Sequence, residues 1–129
     1  MTHAYAAAQR ATLEGRALER EVLLRVTARL DAAAKATSSA APGGMAALAR
    51  ALDDNRRLWE AFALDLAQPA NPYPDSLKAG LISLAAFVTR HTPAVLAGET
   101  GADALAEINR NVAAGLGALA SQTPAQAAA

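Results

Sequence analysis

GMAALARALDDNRRLWEAFALDLA, residues 44–67, puts Met45, Leu48, Leu52, Asn55, Trp59, Phe62 and Leu66 at alternating steps of three and four. A helix turns once every 3.6 residues, so such steps return to one face, whereas a half-buried strand would alternate every two. The same rhythm runs through Leu77, Leu81, Leu84, Val88 and His91. It returns in Leu105, Ile108, Val112, Leu116 and Leu119. Ahead of the quoted stretch, residues 13–36 carry Leu18, Val22, Leu23, Val26, Leu30 and Ala33 on one broad stripe. Composition agrees: 37 Ala and 17 Leu stand against seven Val plus Ile, and helix propensity favours the first two. Four amphipathic helices in an all-α, small four-helix bundle-like domain are expected.

The breaks between helices follow from local chemistry. Residues 37–44, TSSAAPGG, are small and loop-forming and end the first helix. Pro69, Pro72 and Pro74 stop the second near Ala67, and Pro74 or Asp75 opens the third. Gly98 and Gly101 close the third, and Thr100 with Asp103 resembles a capping box for the fourth. Pro93 removes an intrahelical bond and predicts an end or a kink near His91. Residues 13–120 therefore read as one domain. Residues 1–12 read as a flexible or short helical segment, and the Ala-rich 121–129 as a disordered tail. Short connections favour antiparallel neighbours, with a helical array at larger crossing angles as the alternative. Asn55-Arg56 and Asn109-Arg110 each lie beside an apolar stripe, too little to establish a repeat.

Twelve basic and twelve acidic residues leave no formal net charge, which disfavours a partner bound through a basic excess, such as nucleic acid or anionic lipid. With no cysteine, disulfides and thiolate metal sites are excluded. No secretory signal and no run of about 20 apolar residues is evident, so a cytoplasmic protein without membrane insertion is expected. His3 and His91 lie at opposite ends of the chain, far from metal-ligand spacing. His91, at a stripe edge before Pro93, suits a helix C-terminus. Carboxylate pairs such as Glu19 and Glu21, or Asp53 and Asp54, are followed by arginines and read as solvated ion pairs. No nucleophile elbow, P-loop or dinucleotide fingerprint occurs. No enzyme and no cofactor is expected.

Asn55 takes a core-facing slot between Leu52 and Trp59, and Asn109 sits on the edge of the last stripe. A buried amide without partners costs about 1–3 kcal/mol, so each either bonds a neighbouring helix and fixes register or lines a groove for a partner. Register is the favoured reading, and Trp59 reads as a core anchor that would also suit an interface. On the first helix, Leu13, Ala17, Leu24 and Ala28 project opposite the main stripe, a second apolar face on which a partner helix could lie.

With those residues in hand, the chain resembles the FlaF family of flagellar biosynthesis regulators. The likeness rests on Asn55-Arg56-Arg57-Leu58-Trp59 with Phe62 and Asp65, then Leu77-Lys78-Ala79 and the run Leu81 to Ala85. It continues in Phe87-Val88, His91-Thr92, Ala94-Val95, Gly98, Ile108-Asn109-Arg110 and Gly115-Leu116, and Ala4-Tyr5-Ala6 with Gln9 resembles the family's opening. Residues 4–117 are covered. Phe87 stands where the family often has tryptophan, Pro93 where it has a helix-tolerant small residue, and no proline occurs around Thr12 to Gly15.

The resemblance implies a non-enzymatic regulator that binds flagellin in the cytoplasm and promotes its synthesis or export, in the manner of a chaperone. It also implies an FlbT-type regulator as a possible second partner, with control of flagellin mRNA translation through that protein as the alternative role. Flagellin's terminal helices expose apolar stripes before polymerisation, and a helical surface could cover them. The candidate partner-binding residues are Leu13 and Leu24 on the second face of the first helix, with Asn55, Arg56, Trp59, Asn109 and Arg110.

Overall fold

The computed structural model describes residues 2–120, with side chains described at residue 7 and at 14–119. Four helices follow one another: α1 Thr2–Ser38, α2 Gly44–Leu66, α3 Asp75–Leu96 and α4 Asp103–Ala120. No strand occurs among the described residues. Helix α1 runs unbroken from Thr2, so residues 2–12 belong to it and form no separate segment. The tail expected at 121–129 lies outside the described residues.

Each helix end has a local cause. At the end of α1 the Ala41 N–H donates to the Ala36 carbonyl and the Ala40 N–H to that of Thr37, with Ala40 in the left-handed region at φ 54°. This paired-bond closure is the Schellman arrangement, built here on alanine where glycine is usual. Helix α3 ends the same way on Gly98, φ 76°, with Glu99 N–H on Ala94 and Gly98 N–H on Val95. Helix α3 does not stop near His91. It passes through Pro93 to Leu96, because Thr89 and Pro93 are both exposed and water can reach the Thr89 carbonyl that proline leaves without a donor. His91 is consequently inside the helix, with its ring stacked on Phe87 at 4.9 Å. Thr100 lies ahead of the α4 start, and the first helical carbonyl is that of Ala102, which accepts from Ala106 N–H; the capping box is not formed.

Packing is unequal. Helix α1 lies against both α2 and α4, α2 also carries α3, and α3 barely touches α4 despite the short connection between them. The expected packing of helices adjacent in sequence thus holds for α1–α2 and α2–α3 and is slight for α3–α4, because α4 lies mainly on α1. At the α1–α2 corner the chain needs Gly44: a Cβ there would stand 3.0 Å from the Ala36 and Thr37 backbone. The Thr37 hydroxyl fills the same corner, 2.9 Å from the Ala33 carbonyl and 3.1 Å from that of Gly44. Leu23, Leu30, Leu52, Trp59, Leu66, Val88 and Leu105 make the centre of the core.

Two stripe members depart from expectation. Leu18, midway along α1, is 61% exposed, and Met45, in the first turn of α2, is 54% exposed. Glu19 was expected in a solvated pair. It instead accepts a hydrogen bond from the Tyr73 hydroxyl at 2.6 Å, with the Arg16 guanidinium 5.0 Å over the tyrosine ring. Tyr73 thereby ties the Pro-rich α2–α3 connection to α1. Glu21 and Asp53 do pair with arginines as expected, Glu21 with Arg25 and Asp53 with Arg56 and Arg57. Helix α3 is long and apolar enough by length and composition to cross a membrane, although no such run was expected. Only 28% of that stretch is buried; Leu77 and Leu84 face the space toward α4, while Ile82 and Ala86 line a cleft against α2.

Candidate partner-binding groove

Because α3 and α4 splay apart, a cleft of about 420 Å³ opens between them. Its α3 wall is Ser76, Leu77, Gly80, Leu81 and Leu84, and its α4 wall is Ile108, Asn111, Val112, Gly115, Leu116 and Leu119. Helical spacing explains both walls. On α4, residues 108, 112, 115 and 119 recur at four, three and four, a stripe of their own. Leu105, Ala106, Asn109, Ala113 and Leu116 form the buried stripe beside it. Alanines complete that second stripe, so α4 is apolar over two adjoining arcs and only one can face the core. Leu77 and Leu84 do the same for α3, half-buried beside the buried Leu81, Ala85 and Val88. Among the described residues, no ionisable side chain lines the cleft. A volume of this size is within the range of sites that hold a ligand or a partner's side chains.

Behind the α4 wall lies a buried polar chain. The Trp59 indole N–H donates to Asn109 Oδ1 at 2.8 Å, and Asn109 Nδ2 donates to Asn55 Oδ1 at 2.7 Å. Both asparagines are fully buried. The indole can only donate, which orients the Asn109 amide and through it the Asn55 amide. Asn55 Nδ2 is left without a hydrogen-bond partner. The chain locks α2 to α4 across the bundle. Asn55, Trp59 and Asn109 therefore present no surface to a partner.

The two arginines of the Asn-Arg pairs point elsewhere. Arg56 bridges Asp53 at 2.8 Å and Glu60 at 2.5 Å along α2, and its hydrogen bond holds the Asp53 carboxyl below the usual range. Arg110 reaches from α4 to Asp31 of α1 at 2.9 Å, a half-exposed pair of the kind that contributes little. Leu24 is 37% exposed, with Ala17 and Ala28 also exposed, so α1 does carry a second apolar face. The Leu13 side chain lies outside the described residues. The structure thus brings together Asn55, Trp59 and Asn109, and leaves Arg56, Arg110 and Leu24 on separate surfaces. The groove residues themselves were read from sequence as core. Their one signal was that α4 has more apolar positions than a single stripe needs.

Elsewhere, a smaller polar cleft of about 290 Å³ lies beside Tyr73, Glu19, Arg16 and Asp65. Burial raises the Glu19 carboxyl above its ordinary value, opposed by the Tyr73 hydrogen bond. No group of three or more His, Cys, Asp or Glu that could hold a metal ion occurs among the described residues.

Fold and groove together define a small all-helical protein with an open, uncharged furrow between two of its four helices. The family model described as Flagellar protein FlaF matches residues 1–116, and the chain belongs to that family. No curated protein and no solved structure matches the chain.

Proposed function

We propose that this protein binds flagellin in the cytoplasm and promotes its synthesis or export as a non-enzymatic, chaperone-like regulator, and that the α3–α4 groove is the binding site. The observation that carries the reading is the groove: two apolar walls on α3 and α4, with no ionisable group among the described residues that line it. Membership of a flagellar family supplies the context. An amphipathic helix lays its apolar face into such a furrow through anchors one turn apart, and burial of that face supplies the driving force. The groove walls span residues 76–84 and 108–119, which at 1.5 Å per residue is about 12–16 Å, or roughly two to three turns of a docked helix. Flagellin's terminal helices have that character before they polymerise.

The test is titration of purified monomeric flagellin against the protein and its Val112→Lys variant. Val112 is half-buried on the groove wall, so a lysine there can reach water at little cost to the fold while placing a charge where the partner must dock. Loss of binding with an unchanged helical melt supports the reading, and unchanged affinity rejects the groove. Parallel titrations with an FlbT-type protein and with flagellin leader RNA address the alternative role. Binding to either in place of flagellin would favour translational control.

A further inference from the structure

The groove lies at one end of the α3–α4 pair. Its walls come from the first half of α3, residues 76–84, and the second half of α4, residues 108–119, so it opens away from the connection that joins the two helices. The α3 wall begins at Ser76, three residues after Tyr73. The chain leading to that wall is held by directional bonds. Asn71 Nδ2 donates to Asp65 Oδ2 at 3.1 Å, and Asn71 Oδ1 accepts from the Tyr73 N–H at 3.0 Å. This is an Asx turn that encloses Pro72 and is followed by Pro74, and both rings fix φ. Tyr73 is buried, and its hydroxyl donates to Glu19 of α1 at 2.6 Å. Helix α3 itself is held less specifically. Its side-chain hydrogen bonds among the described residues, from Thr89 to the Ala85 carbonyl and from Thr92 to that of Val88, return to its own backbone. Apart from Thr92, what it buries is apolar: Leu81, Ala85, Val88 and Val95. At its far end residues 97–101 are all exposed and include Gly98 at φ 76°.

Taking the groove of the proposed function as the site, whatever fills it, we infer that the Tyr73–Glu19 hydrogen bond is a strap that holds the first turns of α3 away from α4 and keeps the groove open. Leu77 and Leu84 stand across the cleft from Ile108, Val112 and Leu119, all of them half-buried. If the two helices met, apolar surface on both walls would leave water, so the hydrophobic effect pulls α3 toward α4. Apolar contacts alone let packed helices slide by small steps, whereas a short hydrogen bond loses strength steeply as its geometry is lost. The strap is fastened beside the wall, and the glycine-containing connection at the other end of α3 serves as the pivot. Tyr73 and Glu19 are positioning residues: neither lines the groove, and each acts on it through α3.

The chain has no cysteine, so Ala79→Cys on α3 and Ala114→Cys on α4, both exposed and off the groove walls, accept a unique pair of nitroxide labels. Double electron–electron resonance reads their separation. In this labelled parent, Glu19→Ala and Tyr73→Phe should each shorten the distance by at least about 2 Å, the scale on which packed helices shift. Glu19→Gln keeps an oxygen that accepts the tyrosine proton, and should hold the parent distance. Arg110→Ala, which cuts the α1–α4 ion pair, is the control and should leave the distance unchanged. Circular dichroism melting accompanies every variant, and Tyr73→Phe, the smaller change, carries the test if Glu19→Ala does not fold. An unchanged distance in Tyr73→Phe refutes the strap. A longer one refutes it too, since the tie would then hold α3 against the bundle. If Arg110→Ala shortens the distance as much as Glu19→Ala does, the effect is general loosening and the proposal falls. It also falls if Glu19→Gln behaves as Glu19→Ala, because the charge and not the hydrogen bond would then place α3. These distances belong to the free protein, so a failure of flagellin to bind would reject the proposed function and leave the strap standing.

Discussion

Asn109→Ala should be far more damaging than Asn55→Ala, although both residues are fully buried and differ by no atom in side chain. The difference follows from the direction of the hydrogen-bond chain. Asn109 both accepts from Trp59 and donates to Asn55, so its truncation strands the indole N–H and Asn55 Oδ1 together. Asn55 only accepts, and its own Nδ2 is already without a partner. Truncating Asn55 strands Asn109 Nδ2 but removes that unpartnered donor, so the number of stranded groups is unchanged. Each stranded buried group costs about 1–3 kcal/mol, and the cavity left by the same side chain is similar at both sites. Asn109→Ala should therefore be about 2–6 kcal/mol worse than Asn55→Ala, a large part of a total stability of about 5–15 kcal/mol. The double variant should cost less than the sum of the two, since one bond is shared. Urea unfolding followed by tryptophan fluorescence suits the measurement, because Trp59 is the only tryptophan and sits at the head of the chain. Equal unfolding midpoints for the two single variants would refute the assigned polarity of the network.

Three further outcomes are expected. Ala40, held at φ 54°, should be improved by Ala40→Gly: relief of the Cβ clash, reduced by glycine's greater freedom when unfolded, leaves about 0.5–1 kcal/mol, read as a raised urea midpoint. Burial raises the Glu19 carboxyl above its ordinary 4.5, so the folded state holds this proton more tightly than the unfolded chain does. That contribution is fully present below 4.5 and is lost as pH rises through the folded value; melting curves of the wild type should lose ground to Glu19→Gln over that rise, and parallel pH profiles would exclude it. Leu24→Lys, on a face already exposed, should change stability by under about 0.5 kcal/mol and leave flagellin affinity intact. Weaker binding with a normal melt would move the partner to α1.

Periodicity was sufficient for the four helices, because which residues share a helical face depends only on the 3.6-residue turn. The turn residues placed most of the breaks for the same local reason, and Asn55 and Asn109 were legible as amides on apolar stripes. Local rules were weaker where water could substitute for a lost bond, as at Thr89 opposite Pro93 in α3. What periodicity cannot state is which of two apolar arcs on one helix meets a neighbour. Leu77, Leu84, Ile108, Val112 and Leu119 have the spacing of core residues, and only the angle at which α4 lies on α1 leaves them facing one another across open space. The same holds for the polar chain. Trp59 and Asn109 are 50 residues apart, and no local signal shows that the indole would find that amide. Sequence determined the helices and their apolar faces, since these depend on near neighbours along the chain. Tertiary structure decided the groove, the Trp59–Asn109–Asn55 lock and the Tyr73–Glu19 tie, since each is a meeting of surfaces set by how whole helices pack.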